Sequence, residues 1–342
     1  MNTVAAGLVA FLVVLLATPI TIRALLSKGM TGTDVHKVSR PEIAKGGGVL
    51  LLFGIVTALL LVVGLTTFCN GQVSAGILGA LVAILMAGMI GIMDDILDFR
   101  NRTKVILPLL ASIPLAALQV GTTTLAIPFV GVIDLGVLYP LVVVPLMVTF
   151  IIDSTNMYAG MNGLEAGLTF VNASAIVTYL TLMPLIRGTP LSTAQNEAGF
   201  IAAAVLGASA AFLVYNRYPA KILSGDVGLL PLGAAMAASL ILGNMDRLAI
   251  LMYTTYGINF LLYIVYKTQV KRKGMPYAKF ASPREDGTLS VVGPYAMYWI
   301  IPHFVRTTEK RNVELLIALQ ALIAYGAVAI LLLGIPLGIG WI

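Results

Sequence analysis

Runs of about 20 apolar residues with almost no charge recur along this chain, and no other feature constrains its folding as strongly. A helix rises about 1.5 Å per residue, so a run of that length crosses the roughly 30 Å hydrocarbon core of a bilayer. Ten such runs are read: 4–26, 47–68, 74–93, 104–120, 136–155, 163–186, 197–216, 226–244, 247–267 and 313–334. The run at 104–120 is short and carries Pro108 and Pro114. The first lacks a basic n-region and exceeds a signal peptide's apolar core, so it is read as a span. Within lipid each backbone N–H must bond inside its own segment. The fold class is therefore an all-α polytopic membrane protein of ten transmembrane helices. Composition agrees: 11% of the 342 residues are charged, against about 25% in soluble domains. That excludes a soluble enzyme, a disordered chain and a nucleic-acid-binding domain, despite a net charge of +6. Cys69 is the single cysteine, and His36 and His303 are far apart, so neither a disulfide nor a Cys- or His-rich zinc site is available.

Ten spans put both termini on one side. All but two of the 21 Lys and Arg residues fall in the loops after spans 1, 3, 7 and 9; Arg187 and Arg247 lie opposite. Positive loops are cytoplasmic, which places both termini outside. The chain reads as a single membrane domain, 1–342. Its longest loop, 268–312, follows with a basic run, room for a hairpin around Asp286-Gly287, and an interfacial helix over YAMYWIIPHF. Tyr295, Tyr298 and Trp299 there suit a membrane surface.

Acidic residues beside spans are costly and are functional candidates by default. They gather on the cytoplasmic side: Glu42, Asp94, Asp95, Asp98, Asp153, Glu165 and Asp226. In GIMDDILDFRNRTK, helical spacing puts Asp94 and Asp98 on one face and turns Asp95 aside. Three carboxylates within five residues repel one another unless a cation, Mg²⁺ or a basic side chain, stands beside them; Arg100, Arg102 and Lys104 follow. In IIDSTNMYAGMNGLEAG, Asp153 and Asn156 are about one turn apart, and Gly160 and Gly163 flank Asn162. Glycines admit close backbone approach and Asn offers neutral oxygen. In SGDVGLLPLG, Asp226 either caps a helix or binds a divalent metal. In TDVHKVSRPEIAKGGG, the triple glycine fits either tight helix contact or a nucleotide's approach. Together the segments form a cytoplasmic ring of carboxylates, amides and cations. Such a ring suits metal-assisted phosphoryl transfer from a soluble donor to a membrane-dissolved acceptor.

These motifs, in this order over nearly the whole chain, resemble the polyprenyl-phosphate N-acetylhexosamine-1-phosphate transferase family. Within it the chain is most similar to the archaeal-type dolichyl-phosphate GlcNAc-1-phosphotransferases. The resemblance implies ten helices in the cell membrane and a cytoplasmic active site. It implies transfer of GlcNAc-1-phosphate from UDP-GlcNAc to dolichyl or another polyprenyl phosphate, with UMP released, as the first lipid-linked step of N-glycan assembly. Implied partners are those two substrates and membrane lipid, with a homodimer allowed and no nucleic acid. The implied cofactor is Mg²⁺, or Mn²⁺ in its place. By residue, Asp94, Asp95 and Lys104 match catalytic positions, and Asn156 and Asp226 match metal ligands. Thr33, Asp34, Val35, Glu42, Gly160 and Asn162 match the nucleotide-sugar pocket. Lys104, Thr149, Asp153, Asn156 and Met157 match the lipid-phosphate groove. There are departures. The bacterial branches' histidine-rich motif is missing, which argues against the peptidoglycan-precursor enzyme. The eukaryotic Arg-rich trio after the proline matching Pro276 is replaced by Tyr277, Ala278 and Lys279, leaving Lys279 and Arg284 to bind pyrophosphate. Asp153 stands where the family commonly has Asn. The alternative from another class is a transporter or flippase for a polyprenyl-linked or anionic substrate. It predicts mid-membrane polar residues and internal repeats, neither of which is seen.

Overall fold

The computed structural model describes residues 2–275 and 277–335; Met1, Pro276 and residues 336–342 lie outside the described residues. The long helices are α1 (Asn2–Ser27), α2 (Val49–Asn70), α3 (Ala75–Leu97), α4 (Asn101–Ala117), α5 (Val144–Met157), α6 (Leu164–Arg187), α7 (Thr193–Asn216) and α8 (Asp226–Leu242). They are followed by α9 (Asp246–Met252), α10 (Thr254–Lys273), α11 (Met297–Phe304) and α12 (Glu309–Leu333). A π-helical turn at Tyr139–Val143 leads into α5.

Among the described residues, seven helical segments are long and apolar enough to cross a membrane, and α9 with α10, bent by 52°, makes an eighth if the pair is one span. The remaining two expected spans correspond to α4 and α8, each 17 residues long and so short for a bilayer. The chain is an all-α polytopic membrane protein. At its centre stands α8, with Val227–Leu242 buried throughout among α3, α5 and α7.

Small residues set how closely the helices approach. A Cβ on Gly207 of α7 would fall 2.0 Å from the Gly7 carbonyl of α1. A Cβ on Gly47 would meet Ile222 at 2.3 Å, and one on Gly48 would meet Gly228 Cα at 2.3 Å. The triple glycine thus serves helix contact, seating the start of α2 on α8.

Three short sheets tie the loops. β2 (Glu42–Lys45) pairs antiparallel with β1 (Thr31–Thr33) and parallel with β5 (Ile222–Leu223), with Ala44 opposite Ile222. This fixes the loop after α1 against the residues just before Asp226. At the other end of the bundle, β3 (Thr124–Ile127) and β4 (Gly131–Asp134) form a hairpin; there Asp246 accepts from the Tyr139 hydroxyl at 2.8 Å. Within 268–312, β6 (Ser282–Pro283) pairs with β7 (Leu289–Ser290). The surface role read for α11 does not describe Trp299, which is 2% exposed. Its ring packs edge-on to Tyr266 and Tyr298, because the helix turns its Met297–Trp299–Pro302 side inward.

Candidate active site

One cavity of about 570 Å³ opens where α3 and α5 end and α8 begins. Its wall is built from segments far apart in sequence, brought together by the loops that the three-stranded sheet holds.

The acidic end of α3 is shaped by where that helix stops. The helix ends at Leu97, and Asp98 takes a left-handed conformation with φ of 46°. This turns the chain so that the Phe99 N–H donates to Asp94 Oδ1 at 3.0 Å. Asp94 is buried, while the Asp98 side chain is 97% exposed. The helix ends between them, so Asp98 stands in solvent, yet both carboxylates still meet the one ammonium of Lys104. Asp95 turns aside from Lys104, as expected, and accepts from the Val227 N–H at 3.0 Å. It caps α8 from a neighbouring helix, and Asp226 does not cap its own. Two glycines permit this closeness. A Cβ on Gly225 (φ +72°) would meet the Asp95 carboxylate at 2.7 Å, and one on Gly91 would meet the Asp226 carbonyl at 2.4 Å.

Lys104, one turn into α4, reaches into this corner. Its Nζ lies 2.9 Å from Asp94, 3.6 Å from Asp98 and 3.6 Å from Asp226. The Asp94 and Asp226 carboxyl groups are themselves in contact. Three carboxyl groups share one ammonium, and Asp95 adds a fourth with Lys45 3.5 Å away. Such a set of hard oxygens, short of positive charge, fits Mg²⁺ or Mn²⁺. Asn156, at the end of α5, borders the same cavity.

A second cluster stands beside it. Lys37 Nζ donates to Asn162 Oδ1 at 2.9 Å and pairs with Asp34 at 3.0 Å and with Glu309. The Asn162 N–H donates to Glu309 Oε1 at 2.8 Å, and the Ala220 N–H to Asn162 Oδ1 at 2.9 Å. Asp34, His36 and Glu309 have the spacing of a metal site, but Lys37 already supplies their cation. Burial pushes His36 down to about 4; Asp34 opposes that shift and Lys37 adds to it, so the imidazole is neutral at pH 7. It is a poor partner for Glu309, 3.7 Å away.

Residues 77–244 match the glycosyl transferase family 4. A protein of Saccharolobus solfataricus is 29% identical over 94% of both chains. One of Sulfolobus acidocaldarius is 31% identical over 80% of this chain and 79% of its own. Both bear the provisional name UDP-N-acetylglucosamine–dolichyl-phosphate N-acetylglucosaminephosphotransferase. A phospho-N-acetylmuramoyl-pentapeptide-transferase of Desulforudis audaxviator is 30% identical over 77% of this chain and 82% of its own. The chain belongs to glycosyl transferase family 4.

In this family 4 member, most residues singled out from the sequence border the one cavity. They are Thr33, Asp34, Val35, Asp94, Asp95, Lys104, Asp153, Asn156, Met157, Gly160, Asn162, Asp226 and Lys279. Three do not border it. Glu42 accepts from the Thr33 hydroxyl across the β1–β2 pair. Thr149 lies two turns before Asn156 in α5, its hydroxyl buried without a partner. Arg284 is spent inside its hairpin, donating to the Thr288 hydroxyl and the Leu289 carbonyl. The aromatic wall of Tyr263, Phe280 and Trp299 borders the cavity without having been among the expected site residues; nor were Lys37 and Glu309, which bond to Asp34 and Asn162 of the cavity wall. Lys37 lies in the TDVHKVSRPEIAKGGG segment; Glu309 is a span-edge acid of the kind that marks function at Asp94 and Asp226.

Proposed function

We propose that this chain transfers GlcNAc-1-phosphate from UDP-GlcNAc to dolichyl or another polyprenyl phosphate, releasing UMP. The observation that carries the reading is the convergence of Asp94, Asp226 and Lys104 on one cavity of a family 4 chain, with Asn156 on the same wall. The names of the archaeal relatives support the choice of substrates.

Mg²⁺ or Mn²⁺, when held by Asp226 and Asn156, supplies positive charge to the donor pyrophosphate. The chain's own residues do the rest. Lys104 holds a phosphate oxygen as a compact point charge. Asp94, locked by the Phe99 N–H, holds Lys104 in place. An oxygen of the lipid phosphate attacks the β-phosphorus in line; the bond to the α-phosphate oxygen breaks and UMP leaves with the electron pair. A phosphate monoester carries about −1.5 to −2 charge at pH 7, so it needs little help from a base. Direct attack is therefore preferred to a covalent aspartyl intermediate, and a burst of UMP without acceptor would reverse that preference.

The same reading takes α4 and α8 as spans, for ten in all, with both termini outside and the cavity facing the cytoplasm. A reporter inserted near Lys273 is then cytoplasmic and one fused after Ile342 is not. The decisive assay incubates purified protein with labelled UDP-GlcNAc, Mg²⁺ and a polyprenyl phosphate. UMP and a chloroform-soluble labelled sugar are expected. Release of UDP in place of UMP, or use of UDP-N-acetylmuramoyl-pentapeptide instead, overturns the assignment.

A further inference from the structure

Several carboxylates of the cavity wall take no part in the transfer chemistry, and Glu165 is the one with an unpartnered buried oxygen. Glu165, the second residue of α6, is 6% exposed and borders the cavity beside Gly160 and Ser224. Its Oε1 accepts from the Ser224 hydroxyl at 2.9 Å, while Oε2 has no hydrogen-bond partner. No basic side chain forms an ion pair with it among the described residues. Two neighbours on the wall, His36 and Trp299, likewise carry a buried ring nitrogen without a partner. Buried polar atoms are nearly always satisfied, and a carboxylate oxygen is among the costliest to leave unmet. The terminal torsion of Glu is broad, so turning Oε2 toward the cavity costs little.

What could meet it follows from chemistry. A phosphate is repelled, and the acceptor lipid's phosphate and hydrocarbon carry no neutral hydroxyl. A hydroxyl satisfies the group in either protonation state, since it both donates and accepts. Resting on the donor assigned above, we propose that Glu165 hydrogen-bonds a hydroxyl of the nucleotide sugar and so determines donor specificity. Ser224 then has two tasks: it orients Glu165, and it precedes Gly225 and Asp226 in the turn that starts α8. Donor hydroxyl and metal ligand are thereby held by one short segment.

The ribose and the hexosamine both carry hydroxyls, and deoxy donors separate them. Binding of UDP-GlcNAc, of its 2′- and 3′-deoxyribose forms and of its 3-, 4- and 6-deoxyhexosamine forms is measured calorimetrically without acceptor. The proteins are wild type, Glu165→Gln and Glu165→Met. One deoxy form should bind wild type roughly 10- to 100-fold more weakly than the parent, the worth of a hydrogen bond to a charged group. Glu165→Met should bind the parent and that form alike, and Glu165→Gln should fall between. A purely structural Glu165 would weaken all donors by one factor and leave every ratio as in wild type, which overturns the proposal; so does the absence of any deoxy penalty in wild type. If Glu165→Met does not fold, the nearly isosteric Glu165→Gln carries the same ratio test. UDP-GlcNAc that binds but is not transferred overturns the assigned reaction alone. UDP-GlcNAc that does not bind overturns both.

Discussion

Lys104 and Lys37 each stand among carboxylates, Lys104 lining the cavity and Lys37 bound to the Asp34 and Asn162 that line it, yet one group is open and the other complete. Lys37 has three N–H donors and three oxygen acceptors, on Asp34, Asn162 and Glu309, and its ammonium also lies 4.2 Å over the Tyr218 ring. Asp34 and Glu309 are 3% and 2% exposed in their side chains, so little of that group can be offered to a ligand. Around Lys104, two of the three carboxyl contacts are loose at 3.6 Å, and Asp98 is turned to solvent. A saturated buried cluster holds loops together; an unsaturated, half-open one has capacity left for phosphate and metal. The same residue types thus serve as a lock in one place and as chemistry in the other.

The contrast is broken most directly at Lys104. Lys104→Gln should lose on the order of 10²–10³ in transfer rate, with Lys104→Arg losing less, while the thermal midpoint in detergent stays near wild type. Asp226→Ala should likewise lose transfer and its response to Mg²⁺ without unfolding, because Asp95 and not Asp226 caps α8. Arg102→Gln is the control and should lose little. Near-normal turnover of Lys104→Gln would put both lysines in the structural class. Lys37→Met should do the reverse, costing roughly 3–5 kcal/mol of stability by leaving buried carboxylates unpaired, with the double variant Lys37→Met/Glu309→Met recovering part. A Lys37→Met protein of normal thermal stability would show that the lock holds nothing.

Acid provides the next test. The folded His36 titrates at about 4 against an ordinary 6.5, so the unfolded chain takes up its proton first. This contribution to stability is complete above pH 6.5 and is lost as pH falls from 6.5 toward about 4. The loss is at most about 3 kcal/mol, at roughly 1.4 kcal/mol per unit. His36→Gln should flatten that part of the thermal-midpoint-against-pH curve; an unchanged slope would place the acid sensitivity elsewhere. The smallest effect concerns Asp95. As a helix cap from outside, Asp95→Ala should cost roughly 1 kcal/mol, read as a lower midpoint. A rate loss as large as that of Asp94→Ala would instead put Asp95 beside the reacting phosphates.

Hydropathy made most of the helices legible, since a long apolar run has few other folds open to it. The shortness of α4 was legible in the run at 104–120; the bend after Met252 and the early end of α8 were not, because packing around α8 decides them. At the site, residue type pointed to Asp94 and Asp226, and the family resemblance to Lys104. Orientation did not follow: helical spacing assumes a helix that continues, and α3 stops before Asp98. Asp95 meets Val227 across 132 positions, and Lys37 meets Glu309 across 272, separations no local pattern spans. Arg284 looked like a free cation because the hydrogen bonds that consume it come from the shape of its own hairpin. Trp299 looked like a surface anchor because an amphipathic helix does not declare which neighbour covers its apolar side.

The segment carrying Lys279 and Phe280 is fastened in an unusual manner. Tyr266 stacks between Tyr277 and Tyr295, and its hydroxyl accepts from the Ala278 N–H at 2.6 Å while donating to the Ala278 carbonyl at 3.3 Å. Both backbone groups of one residue are thus answered by a single side chain anchored in α10. The consequence is thermodynamic. A strap held in this way has surrendered its conformational freedom during folding, so an arriving ligand does not have to order it. Ligand binding against this wall then carries a smaller entropic penalty than closure of a loose loop would impose. The Ala278 amide should exchange its hydrogen slowly whether or not the cavity is filled.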